Sequence, residues 1–308
     1  MRKFLKKIIA FFIVPIIIIL ICVTIYGTSI PNLSNSLSFN DKMYFLKEKK
    51  FDTSVGILAV GSSMTLNNIH SKSIAKYLDS AYVNSASWGQ SIADDFKMIK
   101  ILAPLYKPKT IIVTSNFMDF QNEWSKIKFD RIEPYLSDTF TLTGFDLRYN
   151  LKNANKIQEF KQNKTLYDYL KYDKHGGINL NANHLKIDSL RWKGRVIGDS
   201  KLDIIQYRYL DSISNFCNSK NIDLVFVQSP FREGFYSKLK EEQKNYLNDH
   251  IQKVDSIVSL YNQQFIDTSS SRPWPDSLFA DYSHLNAKGA QLFTSLFLDE
   301  IKRDKETN

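Results

Sequence analysis

The chain is predicted to fold as an α/β protein with a parallel central sheet covered by helices on both faces. Three observations carry that expectation. Short apolar runs with almost no polar interruption recur along it, as strands buried on both faces require. Between them lie stretches whose apolar residues return at helical intervals. The two kinds of segment alternate, and alternation makes successive strands parallel.

Taken in order, the chain opens with Arg2, Lys3, Lys6 and Lys7, and residues 8–26 then carry no charge. As a helix that run reaches about 28 Å, close to the hydrocarbon thickness of a bilayer. Residues 1–27 are therefore expected to form a basic cytoplasmic tip and one transmembrane anchor, with the body delivered across the membrane. A cleaved signal peptide is the rival reading, against which stand the length of the apolar run and the lack of an Ala-x-Ala-like site after Tyr26. Cys22 follows the bulky Ile21 and reads as a lipid-facing thiol and not as a lipoprotein cysteine. Residues 28–54, rich in Ser, Asn and Lys, read as a stalk with a helix near 41–50.

The expected domain spans 55–303. Its strands fall at 55–60, 81–84, 110–114, 224–227 and 264–266. Helices are expected at 68–78, at 92–105 with Ile92, Phe96, Ile99 and Leu102 on one face, at 201–218, at 238–261 and at 286–301. Between about 120 and 200 the alternation lapses into a Tyr-, Lys- and Asn-rich segment, read as an irregular insertion or lid.

Composition excludes several classes. The 308 residues are 43% hydrophobic, an ordinary globular fraction. Two cysteines, Cys22 and Cys217, cannot supply a disulfide framework. Without the four N-terminal basic residues the charge falls from +9 to +5, which suits an anionic lipid or polymer and gives no argument for nucleic acid. His70, His175, His184 and His250 lack ligand-like spacing, so no metal and no cofactor is expected.

Four distant segments carry the chemistry: Gly61-Ser62-Ser63-Met64-Thr65, Asn84-Ser85-Ala86-Ser87-Trp88-Gly89, Thr114-Ser115-Asn116 and Asp281-Tyr282-Ser283-His284. Attack on an ester needs a hydroxyl nucleophile, a base, a carboxylate to orient the base, and donors for the oxyanion. Three of the segments follow predicted strands, so they fall on the carboxyl edge of the sheet, where such folds bind ligands. Ser63 is the candidate nucleophile, although a serine at a strand-to-helix turn also serves as an N-cap. His284 is the candidate base and Asp281 its orienting partner, the alternative being a surface turn before a helix. Gly89 can lend a backbone N–H, or can be a turn glycine. Asn116 can add its amide, along with the Ser63 N–H.

In order and wording these segments resemble the four blocks of the SGNH/GDSL hydrolase superfamily, with Ser63, Gly89, Asn116 and His284 in the four block positions. The resemblance spans about 55–300 and implies a three-layer, flavodoxin-like fold. The sequence departs from the family pattern in two places: Ser62 stands where an Asp commonly precedes the serine, and Thr114-Ser115-Asn116-Phe117 replaces a Gly-x-Asn-Asp block. Trp88, Arg191 and Trp192 are weaker candidates for holding a sugar or anionic group by stacking and charge; with Lys193 and Arg195, Arg191 and Trp192 read first as an ordinary solvated face with one anchoring aromatic.

The resemblance, combined with an anchor and an extracytoplasmic body, implies an enzyme of cell-envelope polysaccharide O-acylation. It would move acetyl through an acyl-serine and work beside a multi-spanning membrane acyltransferase. Two alternatives stay open: an esterase or deacetylase using the same residues, and a non-catalytic binding or assembly subunit.

Overall fold

The computed structural model describes residues 2–27, 30–49, 55–77, 81–121, 126–137, 146–162, 171–180, 202–268 and 273–307. Its centre is a sheet of five parallel strands: β1 (Ile57–Ala59), β2 (Tyr82–Asn84), β3 (Thr110–Ser115), β4 (Asp223–Gln228) and β5 (Gln264–Asp267). They lie in the order β2-β1-β3-β4-β5. The chain steps outward from β1 to β2 and then returns to the far side of β1 for β3. That reversal leaves a crevice beyond the carboxyl ends of β1 and β3.

Side chains alternate across this sheet and divide its core into two halves. Leu58, Val83, Ile111, Val113, Leu224 and Phe226 face one layer of apolar side chains, and Ile57, Tyr82, Ile112, Val225, Val227 and Ile266 face the other. The first layer contains α2 (Leu37–Lys49), α5 (Ile92–Tyr106), α8 (Ile204–Ser219) and α10 (Glu241–Ser259); the second contains α4 (Ser71–Tyr77) and α11 (Ala287–Thr307). Short helices follow two of the strands: α3 (Ser63–Asn68) comes after β1 and α9 (Glu233–Tyr236) after β4. All five strands fall where the sequence places them, each within two residues at either end.

Three expectations need correction. The segment read as a stalk is part of the core: Ile30, Leu33, Phe39, Met43 and Leu46 are buried, and so are Asn40, Asp41, Lys42 and Lys47. The two lysines reach partners far away in sequence. Lys42 Nζ donates to the Asn84 carbonyl at 3.2 Å and to the Gly176 carbonyl, over the Tyr172 ring. Lys47 Nζ donates to Tyr135 O at 2.7 Å. The helix expected over 68–78 starts later, as α4 at Ser71: Asn68 is the last residue of the separate helix α3, and Ile69 and His70 leave the helix between the two. The insertion is partly regular, with α6 (Ile132–Ser137) and α7 (Leu147–Gln162), the latter started by Asp146, whose carboxylate accepts Tyr149 N at 2.9 Å.

The N-terminal helix α1 (Arg2–Gly27) is continuous and contains Pro15. Its apolar side chains from Ile8 to Ile21 are exposed. Among the described residues no helix is long and apolar enough to cross a membrane; in α1 the consecutive side chains described end at residue 21, so the expected span over 8–26 lies partly outside them.

Candidate active site

The turn after β1 is held by tight packing. Gly61 has φ +153°, and a Cβ there would lie 2.1 Å from Thr65 Oγ1. That hydroxyl lies 2.8 Å from Thr114 O and accepts Thr114 N at 2.9 Å, which ties the turn to the end of β3. Ser62, not Ser63, is the N-cap of α3: its Oγ accepts Met64 N at 3.1 Å. The Ser63 side chain, half-buried, is thereby relieved of the capping role.

Asn116 follows β3 and caps a 3-10 turn at Phe117–Phe120. Its Oδ1 accepts Met118 N at 2.9 Å, which orients the amide so that Nδ2 points at Met64 Sδ, 3.1 Å away. A thioether is a weak acceptor, so this donor can turn to a developing oxyanion next to Ser63 at little cost. Gly89 is exposed with φ +72° and open space around it. Its loop is pinned against the same turn, since Ser85 N donates to Ala59 O at 2.9 Å and Ser87 N to Gly61 O at 3.1 Å.

Asp281 and His284 meet before α11. Asp281 Oδ2 is 2.7 Å from His284 Nδ1, while Oδ1 accepts Ser283 N at 2.9 Å and His284 N at 2.8 Å. Burial alone would raise this carboxyl's pKa, yet the facing imidazole and these bonds outweigh burial and hold it below the ordinary carboxylate value. With Nδ1 engaged, Nε2 is the nitrogen that can take a hydroxyl proton. Asn68, the last residue of α3, accepts Leu285 N at 2.8 Å and so ties the histidine loop to the helix that begins with Ser63. Asp119 and Asn68 are two site residues that sequence reasoning did not single out. The Asn116-x-x-Asp119 spacing is a capping-box signal that could have flagged the first.

Trp88 stands half-buried beside the glycine loop, its Nε1 donating to Asn67 Oδ1 at 3.3 Å. Arg191 and Trp192 lie outside the described residues. Met118 and Tyr282 pack on the cluster of Phe117, Phe231 and Phe235, which gives the site an apolar wall. A pocket among Thr110, Asp223, Gln264 and Ile301 lies at the amino ends of β3, β4 and β5, the opposite edge from this chemistry. Among the described residues no group of His, Cys, Asp and Glu is arranged to hold a metal ion.

Comparison with known proteins adds little beyond the geometry. A protein-family model matches residues 146–306, just over half of the chain, and the chain belongs to that family. The match takes in β4, β5 and Asp281 to His284, and excludes Ser63, Gly89 and Asn116. No curated protein matches the sequence. Similar solved structures include a lipase/acylhydrolase from Enterococcus faecalis, 12% identical over 80% of this chain and 96% of that one, with a TM-score of 0.44. A catalytic mutant of an acetylxylan esterase from Geobacillus stearothermophilus is 14% identical over 82% and 96%, with a TM-score of 0.42. These likenesses are too distant to assign a reaction. The class of the molecule, a three-layer α/β protein with a serine, histidine and aspartate at its switch point, is defined by its own sheet order and side chains.

Proposed function

We propose that this protein is a membrane-anchored serine acyl enzyme of the SGNH/GDSL kind, acting on cell-envelope polysaccharide and moving an acyl group, acetyl by preference, through an acyl-Ser63 intermediate. The observation that carries the reading is the Asp281–His284 pair at 2.7 Å, tied through Asn68 to the helix that begins with Ser63. In the first step Ser63 Oγ bonds to the ester carbonyl carbon while its proton passes to His284 Nε2. The carbonyl oxygen takes the negative charge and is met by the Ser63 and Gly89 N–H groups and the Asn116 amide. Collapse expels the donor alcohol, which leaves with the proton from His284. A polymer hydroxyl then attacks the acyl-serine carbonyl and delivers its proton to His284; the bond from that carbon to Ser63 Oγ breaks, Oγ takes the proton back from His284, and the polymer departs as the new ester.

The apolar surface of α1 supports the anchor, with its basic tip in the cytoplasm and the domain outside. A multi-spanning membrane acyltransferase would supply the acyl donor. Hydrolysis is the second reading, favoured by the exposure of Gly89, which leaves the oxyanion position open to water.

The test follows acetyl from 4-nitrophenyl acetate, with envelope polysaccharide present, on the full chain in detergent. Transfer predicts acetyl on the polymer in excess of free acetate, lost in Ser63→Ala. Free acetate alone would make the protein an esterase, and neither product would leave it a binding subunit. Removing residues 1–27 is expected to shift the chain from the membrane to the soluble fraction; retention in the membrane would refute the anchor.

A further inference from the structure

Asp119 has no part in the acyl-transfer steps, yet it stands between the two turns that perform them. Its Oδ2 accepts Ser115 Oγ at 3.0 Å and Asn116 N at 3.3 Å. The Ser62 hydroxyl stands beside the same carboxylate and favours its ionised form. Ser62 caps the helix that begins with Ser63, and Asn116 caps the turn that presents the amide donor. One carboxylate therefore joins the nucleophile turn after β1 to the oxyanion turn after β3. We propose that Asp119, in its ionised form, is the positioning residue that fixes the Ser63 hydroxyl relative to the Asn116 amide. The proposal rests on the roles given above to Ser63 and Asn116.

The need for ionisation follows from the partners. The Asn116 N–H can only donate, and the Ser62 oxygen already accepts Met64 N, so its proton is what it has to offer. Protonation would turn one oxygen of Asp119 into a donor and leave a weaker acceptor for these groups, and the tie between the turns would weaken. Two titratable groups face Asp119 from neighbouring elements, Asp95 from α5 and His284 from the loop before α11. Asp94 in turn faces Asp95. Asp95 is 1% exposed and its Oδ1 has no hydrogen-bond partner among the described residues. Burial first, and then its acidic neighbours, push Asp95 well above the carboxylate range, which disfavours a second negative charge beside Asp119. Burial pushes Asp119 up to about 6, against the opposing influence of Ser62, Ser115 and Asn116 and the pull of His284. The tie is thus present above about pH 6 and lost as pH falls through that value.

The experiment compares the full chain with Asp119→Asn, Ser62→Ala and the double variant. Active sites are titrated with a fluorophosphonate, so rates refer to folded enzyme, and kcat and KM for 4-nitrophenyl acetate are followed from pH 4.5 to 8. Asp119→Asn is expected to lower kcat tenfold or more at pH 7 with KM within twofold, and to turn a two-proton acid limb into a one-proton limb. Ser62→Ala is expected to cost less when combined with Asp119→Asn than alone, because both cut the same tie. Unchanged kcat and an unchanged acid limb in Asp119→Asn, with normal labelling, would overturn the positioning role. Absence of labelling in the unaltered chain would instead overturn the acyl-enzyme reading beneath it. Should Asp119→Asn fail to fold, Ser62→Ala carries the test alone: an acid limb identical to the parent's would refute the proposal.

Discussion

Replacing Asp281 by asparagine separates the orientation of His284 from the architecture of its loop. Asp281 Oδ1 holds the loop through the N–H groups of Ser283 and His284, and an amide oxygen can still accept both. At the other oxygen the change is chemical. Oδ2 faces His284 Nδ1 at 2.7 Å, and an amide nitrogen placed there would donate where the carboxylate accepts. The ring would respond by carrying its hydrogen on Nε2, the tautomer that cannot take a proton from Ser63. In the serine-protease triad the equivalent change costs about 10⁴ in kcat, with residual rate left to the oxyanion hole. A loss of about 10³ to 10⁴ is expected here, or about 4–5.5 kcal/mol on the barrier. The assay is the steady-state hydrolysis of 4-nitrophenyl acetate at pH 7.5, normalised to sites titrated by fluorophosphonate, beside a thermal melt. The melt should move little, because the loop keeps its backbone bonds. A loss of less than tenfold would refute the assignment of His284 as a base oriented by Asp281.

Other expectations follow from single contacts. Asn116→Ala removes the amide now resting on Met64 Sδ and should lower kcat by about 10² to 10³ with little change in KM; equal kcat would take Asn116 out of the oxyanion hole. Burial lowers Lys42 to about 7, opposed by Asp173 and Asp41. Between pH 7 and 10.5 the unfolded chain then binds the extra proton, so stability should rise with pH by up to a few kcal/mol. Urea titrations at pH 7 and 10 should show that rise diminished in Lys42→Met; an identical rise would place its origin elsewhere. His250, buried and sharing a 2.7 Å hydrogen bond with the Tyr207 hydroxyl, is lowered to about 3 by burial and then by Lys253. Stability should fall as pH drops from about 6.5 toward 3, and denaturant titrations of His250→Phe should show a shallower fall.

The sheet was legible because a strand buried on both faces must be apolar throughout. Ile111, Ile112 and Val113, or Leu224 to Val227, admit little else. The strand-end positions of Ser63 and Asn116 were legible because each follows such a strand closely, and the Asp281–His284 contact because the two residues are close in sequence. The polar interior was not. Lys42 and Lys47 read as the surface of a stalk, since their partners Asn84, Gly176 and Tyr135 lie 42 to 134 residues away and local pattern carries no trace of them. Asp119 was missed for a related reason. Its spacing from Asn116 is local, but its place beside Ser62 depends on β1 and β3 being neighbours, a fact of topology.

The central claim is that Ser63 carries the acyl group. Intact mass of the full chain after brief exposure to an activated acetyl ester, beside Ser63→Ala, tests it most directly. One acetyl, located on the peptide containing Ser63 and missing from the variant, is the predicted result. An adduct of equal yield in Ser63→Ala, or turnover undiminished by that substitution, would contradict it.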